Sequence, residues 1–191
     1  MSTPEVSGGR PSRRIWISRR IAFLLGLVVV FVVYPIMVGL LPWALSMLTL
    51  RYGWTETGPA SWNLVGLIPV LAGIVGLVWV FSVMFAQFPK LPENLELEKG
   101  ELLWSMTSRV LITHGPFAFS RNPMFLSGLT VLLGWAVFYG SVVILILAIV
   151  GCIFANYFKV PREERGLEGR FGEAYRRYKQ RVPRWLGLPP R

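Results

Sequence analysis

The chain has 191 residues, of which 53% are hydrophobic and only 16% charged, whereas an ordinary soluble domain carries about 25% charged residues. Twenty basic residues against 10 acidic ones give a net charge of +10, so nucleic acid and anionic lipid are both possible partners by charge alone. One cysteine and one histidine exclude an internal disulfide and a zinc site built from several thiolates or imidazoles, and we expect no metal.

The first predicted element is a basic N-terminal segment followed by an apolar run. Residues 1–18 are rich in Gly, Ser, Pro and Arg and lack a periodic apolar pattern, which predicts disorder. A charge-free run follows, and a transmembrane helix of about 20 residues fits residues 21–41, before Pro42. The basic residues before this run also resemble a secretory or twin-arginine signal, but the run is longer than the ~7–15 apolar residues of a signal peptide.

Two further uncharged runs predict the remaining spans. The second run lies between Glu56 and Lys90 and fits a helix over residues 62–85. The third run, Asn122 to Phe158, has 37 uncharged residues, and one helix of that length would exceed a hydrocarbon core of about 30 Å. Turn-forming residues at 139–141 therefore predict a tight hairpin, with spans at 122–139 and 141–159.

These spans predict an all-α integral membrane protein with four transmembrane helices, the last two a tight hairpin, plus cytosolic interfacial helices. Residues 1–20 hold five Arg and the tail from Lys159 holds ten basic residues, whereas the 42–61 loop holds only Arg51. Basic residues accumulate on the cytoplasmic side, so both termini are expected in the cytoplasm. Sixteen Arg against four Lys suggest a bacterial inner membrane. Because the basic residues flank the spans, nucleic-acid binding is not expected.

Chemistry is expected in the polar segments that flank the hairpin, residues 102–125 and 159–185, because the spans hold almost nothing ionisable. Asn122-Pro123 predicts a helix start, where exposed amides and the helix dipole favour an acceptor group. After the fourth span, Pro161 is expected to break the helix, and Glu163 and Glu164 follow.

A basic helix is predicted beyond this point, in the C-terminal tail. Phe171, Tyr175 and Tyr178 share one of its faces. This aromatic face is either a lid over a ligand or the apolar side of an interfacial helix.

Two strings carry a resemblance to a known group of enzymes. LITHGPFAFSRNPMF begins at residue 111, and EERGLEGRFGEAYRRYKQRVPR begins at residue 163 after the hairpin. In this order and spacing they resemble the membrane methyltransferases that include isoprenylcysteine carboxyl methyltransferase and phosphatidylethanolamine N-methyltransferase. The resemblance runs from Arg109 to Arg184. It implies one multi-pass methyltransferase domain over residues 19–191, with S-adenosyl-L-methionine bound by the two polar segments on the cytosolic side.

Carried over residue by residue, the resemblance implies roles for particular side chains. Lys159 and Glu163 receive catalytic roles, since Lys159 falls where the carboxyl methyltransferases have a substrate-contacting Arg. Where the family often has RHPxY and GPY, this chain has RNPMF and GPF, so one imidazole and two phenol hydroxyls are absent. His114 is also a candidate general base. Cofactor contacts are implied for Arg109, Val110, Leu111, Ile112, Phe117, Asn122, Pro123, Met124, Phe125 and Glu163.

The expected function is methyl transfer from S-adenosyl-L-methionine, at the cytosolic membrane face, to a lipophilic acceptor. The acceptor is an isoprenylcysteine-like carboxylate, a phospholipid amine or a hydrophobic thiol, so the expected partners are membrane lipids and a lipid or lipophilic small-molecule substrate. The alternative is a non-catalytic membrane scaffold with a degenerate methyltransferase fold. A transporter would need polar groups at mid-membrane, which the spans lack. The sequence makes no prediction of oligomeric state.

Overall fold

The computed structural model describes residues 14–98 and 110–187 and is mostly helical. Three helices are long and apolar enough to cross a membrane: α1, Arg19–Met47; α2, Ser61–Lys90; and a later one, Val142–Phe171. Before that later helix comes α3, Pro123–Phe138, which is apolar but has only 16 residues, or about 24 Å at 1.5 Å per residue. We call Val142–Phe171 α4 and the polar helix Glu173–Arg181 α5. Three of the four predicted spans are therefore helices long enough to cross a membrane, and α3 is shorter.

Two small antiparallel sheets depart from the all-α prediction. Strand β1, Arg14–Ser18, precedes α1, and β2, Trp54–Thr55, pairs with β3, Gly58–Pro59, in the connection between α1 and α2. Strand β4, Asn94–Glu98, pairs with β1. Residues 14–18, which belong to the segment predicted to be disordered, are therefore part of a strand, and residues 1–13 lie outside the described part. The apolar residues of β1 could not show this alone, because their partner lies some 80 positions away.

Arginine contacts fix this first sheet to the helices. The Arg19 backbone N–H donates to the Glu93 carbonyl at 2.7 Å, and its guanidinium donates to the carbonyl oxygens of Pro89 and Leu91 at 3.1 and 2.9 Å. Beneath these bonds, Ala22, Leu91 and Leu95 form a buried apolar cluster. The start of α1 is thereby tied to the segment that follows α2.

Prolines do not end the long helices, contrary to the prediction at Pro42 and at Pro161. Each of these prolines, and Pro35 as well, comes two residues after a π-helical segment, and these segments are Val29–Val33, Ile36–Leu40 and Ala155–Lys159. A proline in a regular α-helix clashes with the carbonyl four residues before it, and a wider turn with i to i−5 bonding gives that ring room. As a result α4 continues without a break from the membrane into the charged segment that carries Glu163 and Glu164.

The hairpin between α3 and α4 turns where the sequence predicts it. Helix α3 ends at Phe138, α4 begins at Val142, and Gly140 has φ +57°, a left-handed conformation that glycine adopts without strain. A Cβ at this position would also collide with the Tyr52 carbonyl. The buried Asn63 side-chain amide donates to the carbonyl oxygens of Val137 and Phe138 at 3.0 and 3.1 Å. These bonds hold the turn against the start of α2.

Close packing of α2 against α3 positions the start of α3. A Cβ on Gly73 would lie 2.7 Å from the Ser127 carbonyl oxygen, and one on Gly134 would lie 2.7 Å from the Gly66 carbonyl oxygen. Small residues at such contacts let two helix backbones approach closely, as in other membrane helix pairs. The packed pair supports the polar segment that enters α3.

Candidate functional site

A cavity lies at the end of the α3–α4 hairpin where both polar segments meet. Its volume is about 130 Å³, well above the ~10–15 Å³ that one water molecule needs, so it can admit part of an organic ligand. Its walls come from residues 110–117, the first turn of α3, the stretch of α4 around residues 159–167, and one face of α5. The two polar segments therefore converge across the hairpin.

Most residues named in the sequence analysis border this one cavity. Arg109 lies outside the described residues. The roles of the others towards a ligand remain predictions, but their convergence is a feature of the fold. The predicted residues that line the cavity are Val110, Leu111, Ile112, Phe117, Asn122, Pro123, Met124, Phe125, Lys159 and Glu163.

Lys159 and Glu163 form an ion pair on the cavity wall. The continuous helix through Pro161 places them one turn apart, with Lys159 Nζ 3.6 Å from Glu163 Oε1. Both side chains are partly exposed, at 35% and 43%, so the pair itself adds little to stability. Lys159 Nζ also lies 6.0 Å from the centre of the Phe125 ring. A carboxylate, an ammonium group and an aromatic ring thus meet at one side of the cavity.

Glu164, by contrast, is a buried carboxylate held between two arginines. Its side chain is 6% exposed, and Oε1 lies 2.8 Å from Arg121 Nη1. On its other side Arg184 donates two hydrogen bonds, from Nε to Oε1 at 3.2 Å and from Nη2 to Oε2 at 3.0 Å. This carboxylate raises the pKa of Arg184. The cluster joins the entry to α3, helix α4 and the C-terminal segment.

The sequence predicts a functional role for Glu163 but none for Glu164, Arg121 or Arg184. A signal for Glu164 was available in the helical period. Val160, Glu164, Leu167 and Phe171 recur at intervals of four, three and four, the spacing of one helix face. Three of these four residues are apolar, so the period places Glu164 on the face that packs inward. A helix that ended at Pro161 would not have this face, which is why the prediction of a break there is incompatible with the period.

Arg121 is also unusual in its hydrogen bonding. Its side chain is 10% exposed and lines the cavity. Neither Nε nor Nη1 has a hydrogen-bond partner among the described residues, because the close contact of Nη1 with Glu164 is an ion pair without hydrogen-bond alignment. A buried donor without an acceptor is uncommon in folded proteins. The Arg121 guanidinium can therefore donate hydrogen bonds to a ligand in the cavity.

The C-terminal strap, residues 182–187, crosses the entry to α3 and fixes it. The backbone N–H of Arg121 donates to the Pro183 carbonyl at 3.0 Å, and the Asn122 side-chain amide donates to the Arg184 carbonyl at 3.2 Å. At the strap's far end the Gly187 N–H donates to the Phe119 carbonyl at 2.9 Å. Asn122 occupies the N-cap position of α3 as predicted, but its side chain does not cap the helix.

The aromatic face of α5 packs inward over the cavity. Tyr175 and Tyr178 are 1% and 8% exposed and pack with Val182, Leu111 and Leu167. Tyr178 donates a hydrogen bond to the Phe117 carbonyl at 2.7 Å. Burial raises the pKa of both phenols, so their hydroxyls stay protonated at neutral pH. Of the two interpretations left open, a cover over the cavity fits these contacts and a lipid-facing stripe does not.

His114 lies apart from this arrangement. It is exposed, precedes the short helix Gly115–Ala118, and is not among the residues that line the cavity. A general base must come within hydrogen-bond reach of the proton that it removes. The described geometry therefore gives His114 no place at the cavity.

Comparison with known proteins agrees with the resemblance in the sequence. Residues 63–174 match the phospholipid methyltransferase family, which is more than half of the chain, and the protein belongs to this family of membrane methyltransferases. A stretch of 63 residues, 33% of the chain, is 44% identical to the whole of an uncharacterized protein of Haemophilus influenzae. No solved structure matches the chain.

Proposed function

We propose that this protein transfers a methyl group from S-adenosyl-L-methionine to a lipophilic acceptor at the cytosolic surface of a bacterial inner membrane. The observation that carries the proposal is the convergence of both polar segments, with Glu163, on one cavity at the end of a membrane hairpin. Family membership supplies the reaction class. The acceptor classes are an isoprenylcysteine-like carboxylate, a phospholipid amine and a hydrophobic thiol.

The residues at the cavity fit such a methyl donor. Apolar walls that include Phe117 and Phe125 suit a planar base, and the partly exposed Glu163 carboxylate can accept hydrogen bonds from two ribose hydroxyls. When bound, S-adenosyl-L-methionine supplies an electrophilic methyl group on a sulfonium. The protein's own task is then to hold the acceptor atom in line and to keep water out, and orientation alone can lower a barrier by about 7–11 kcal/mol.

The first test is binding of the methyl donor to the purified protein. A ligand that binds the folded state raises the melting temperature, so S-adenosyl-L-methionine and its analogue sinefungin should raise it and ATP should not. Glu163→Gln keeps the size of the side chain but weakens its bonds to hydroxyls. Loss of charge-assisted bonds worth about 1.5–3 kcal/mol should weaken donor binding roughly tenfold or more, as measured by calorimetry.

Glu173→Gln is the matched control for this substitution. Glu173 is 67% exposed, lies farther along the same tail and does not line the cavity. Donor binding should therefore be unchanged in Glu173→Gln. Equal losses in the two variants would mean that overall tail charge, rather than a bond to the donor, explains binding.

Membrane orientation is the second part of the proposal that needs a test. Four crossings with both termini inside place the β2–β3 connection outside and the C-terminal strap inside. In a Cys152→Ser background, single cysteines at Thr57, which is exposed, and at Leu186, 71% exposed, report the two sides. An impermeant maleimide added to intact cells should label Thr57→Cys alone. External labelling of Leu186→Cys would contradict the orientation.

A further inference from the structure

The buried charge cluster beside the cavity carries more positive than negative charge. Glu164 supplies one negative charge, and Arg121 and Arg184 supply two positive charges. Arg184 uses two of its donors on Glu164 in a well-aligned pair. Arg184 thus neutralises the Glu164 carboxylate from the side that faces away from the cavity, since Arg184 is not a lining residue. Arg121 shares the same carboxylate, with Nη1 2.8 Å from Oε1, so the three side chains keep an excess of one positive charge.

The other ionisable groups on the cavity wall do not balance this excess positive charge. Lys159 and Glu163 balance each other at 3.6 Å. Tyr175 and Tyr178 face Arg121 as neutral phenols, because burial raises the pKa of each. A buried charge is unfavourable unless an opposite charge and hydrogen bonds accompany it. Within the described residues, the positive side chain with unpartnered donors at this wall is Arg121.

The start of α3 adds a second attraction for an anion at the same place. The Asn122 side chain is occupied with the Arg184 carbonyl and leaves the first turn uncapped. The first turn of any helix has N–H groups without intrahelical partners, and the helix dipole gives them partial positive charge. Its residues Pro123, Met124 and Phe125 border the cavity together with Arg121.

We propose that Arg121 and the first turn of α3 form a binding subsite for a carboxylate or phosphate group of a ligand in this cavity. This inference rests on the proposed function in so far as that ligand is the methyl donor or its acceptor. The donor carries a carboxylate on its amino acid portion, and a phospholipid carries a phosphate. An arginine guanidinium can donate two parallel hydrogen bonds to a carboxylate or a phosphate, whereas a lysine ammonium cannot.

The first experiment asks whether the anion belongs to the donor. S-adenosylhomocysteine and 5′-methylthioadenosine share the nucleoside and the sulfur, but only the first has the carboxylate. We expect Arg121→Met to weaken binding of S-adenosylhomocysteine roughly 10- to 100-fold and to leave 5′-methylthioadenosine nearly unchanged. Arg121→Lys keeps the charge beside Glu164 and should lose part of this preference while remaining folded.

The second experiment asks whether the anion belongs to a lipid. Dioctanoyl phosphatidic acid and dioctanoylglycerol differ only in the phosphate, and their binding is followed by the rise in melting temperature. If the subsite holds the lipid phosphate, Arg121→Met removes the extra stabilisation by phosphatidic acid and leaves both adenosyl compounds unaffected.

Arg184→Met is the control in both experiments, since it removes a partner of Glu164 without changing the cavity wall. We expect it to keep the wild-type discrimination within each pair. The subsite is overturned if Arg121→Met keeps the wild-type discrimination within both pairs, or if Arg184→Met has the same effect as Arg121→Met. If the wild-type protein binds neither adenosyl compound, the proposed function fails, and the lipid pair still decides whether Arg121 holds an anion.

Discussion

Replacing Glu164 with glutamine is expected to destabilise the folded protein by about 3 kcal/mol. Removing one partner of a buried ion pair leaves the other charge buried without compensation, which costs about 3–5 kcal/mol. The Arg184 side chain is 32% exposed and can turn to water, so the lower end of that range applies. Arg121, at 10% exposure, cannot do so without opening the cavity wall. The measurement is the melting temperature in detergent.

Glu163→Gln is the matched control for this prediction, because it is the same substitution at the neighbouring residue. Its side chain is 43% exposed and pairs with the partly exposed Lys159. A surface substitution of this kind usually changes stability by no more than about 0.5 kcal/mol. A similar loss of melting temperature in both variants would show that Glu164 does not act as the structural clamp.

The two glutamates therefore separate stability from binding within one dipeptide. Glu164 joins three segments through Arg121 and Arg184, whereas Glu163 faces the cavity with free capacity towards a ligand. We expect Glu164→Gln to lower the melting temperature strongly, and Glu163→Gln to lower donor affinity with little thermal effect. Opposite responses in adjacent residues are expected of a helix face that turns by about 100° per residue.

The helical hairpin could be predicted from the sequence because its cause is local. An uncharged run too long for one span must turn, and Gly140 marks the point. The convergence of the polar segments could also be anticipated, since both ends of a hairpin emerge together. Resemblance to known methyltransferases then directed attention to residues 110–125 and 163, which the structure places around one cavity.

The remaining features depend on contacts that no local pattern encodes. Strand β1 forms because β4 returns to it after two helices. Pro161 is tolerated because a π-helical segment precedes it, and tertiary packing rather than propensity decides such a turn. Arg121 keeps unpartnered donors because Arg184, in the C-terminal strap, binds Glu164 from the opposite side. In the sequence, both arginines resemble ordinary basic residues near a membrane surface.

The prediction with the most direct bearing on the acceptor concerns Lys159. Its ammonium lies on the cavity wall, directly after the uncharged part of α4, where it would stabilise an anionic acceptor such as a carboxylate or thiolate and repel a cationic amine. Removing one preorganised electrostatic group at a reacting centre costs about 10²–10³ in rate. Since Lys159 is 35% exposed, we expect a loss of roughly 10- to 100-fold in transfer to acids or thiols.

The assay is transfer of labelled methyl from S-adenosyl-L-methionine to phospholipids, prenylcysteine analogues and alkyl thiols in proteoliposomes. Lys159→Met should slow transfer to acids or thiols and leave an ethanolamine head group unaffected or faster. Donor affinity, measured separately, should change little, because Glu163 keeps its carboxylate when the ammonium is removed. Lys179→Met is the control, since Lys179 pairs with Glu168 at 3.6 Å and is not a cavity-lining residue.

Two results would contradict this assignment of Lys159 in different ways. Weaker donor binding with unchanged acceptor preference would place its ammonium at the donor's carboxylate, and it would then compete with the anion subsite that we assign to Arg121. Absence of product from every acceptor, despite donor binding, would favour a scaffold that keeps the cavity without the reaction. The expected pattern, a loss confined to anionic acceptors with unchanged donor binding, would keep Lys159 on the acceptor side and leave the donor's carboxylate to Arg121.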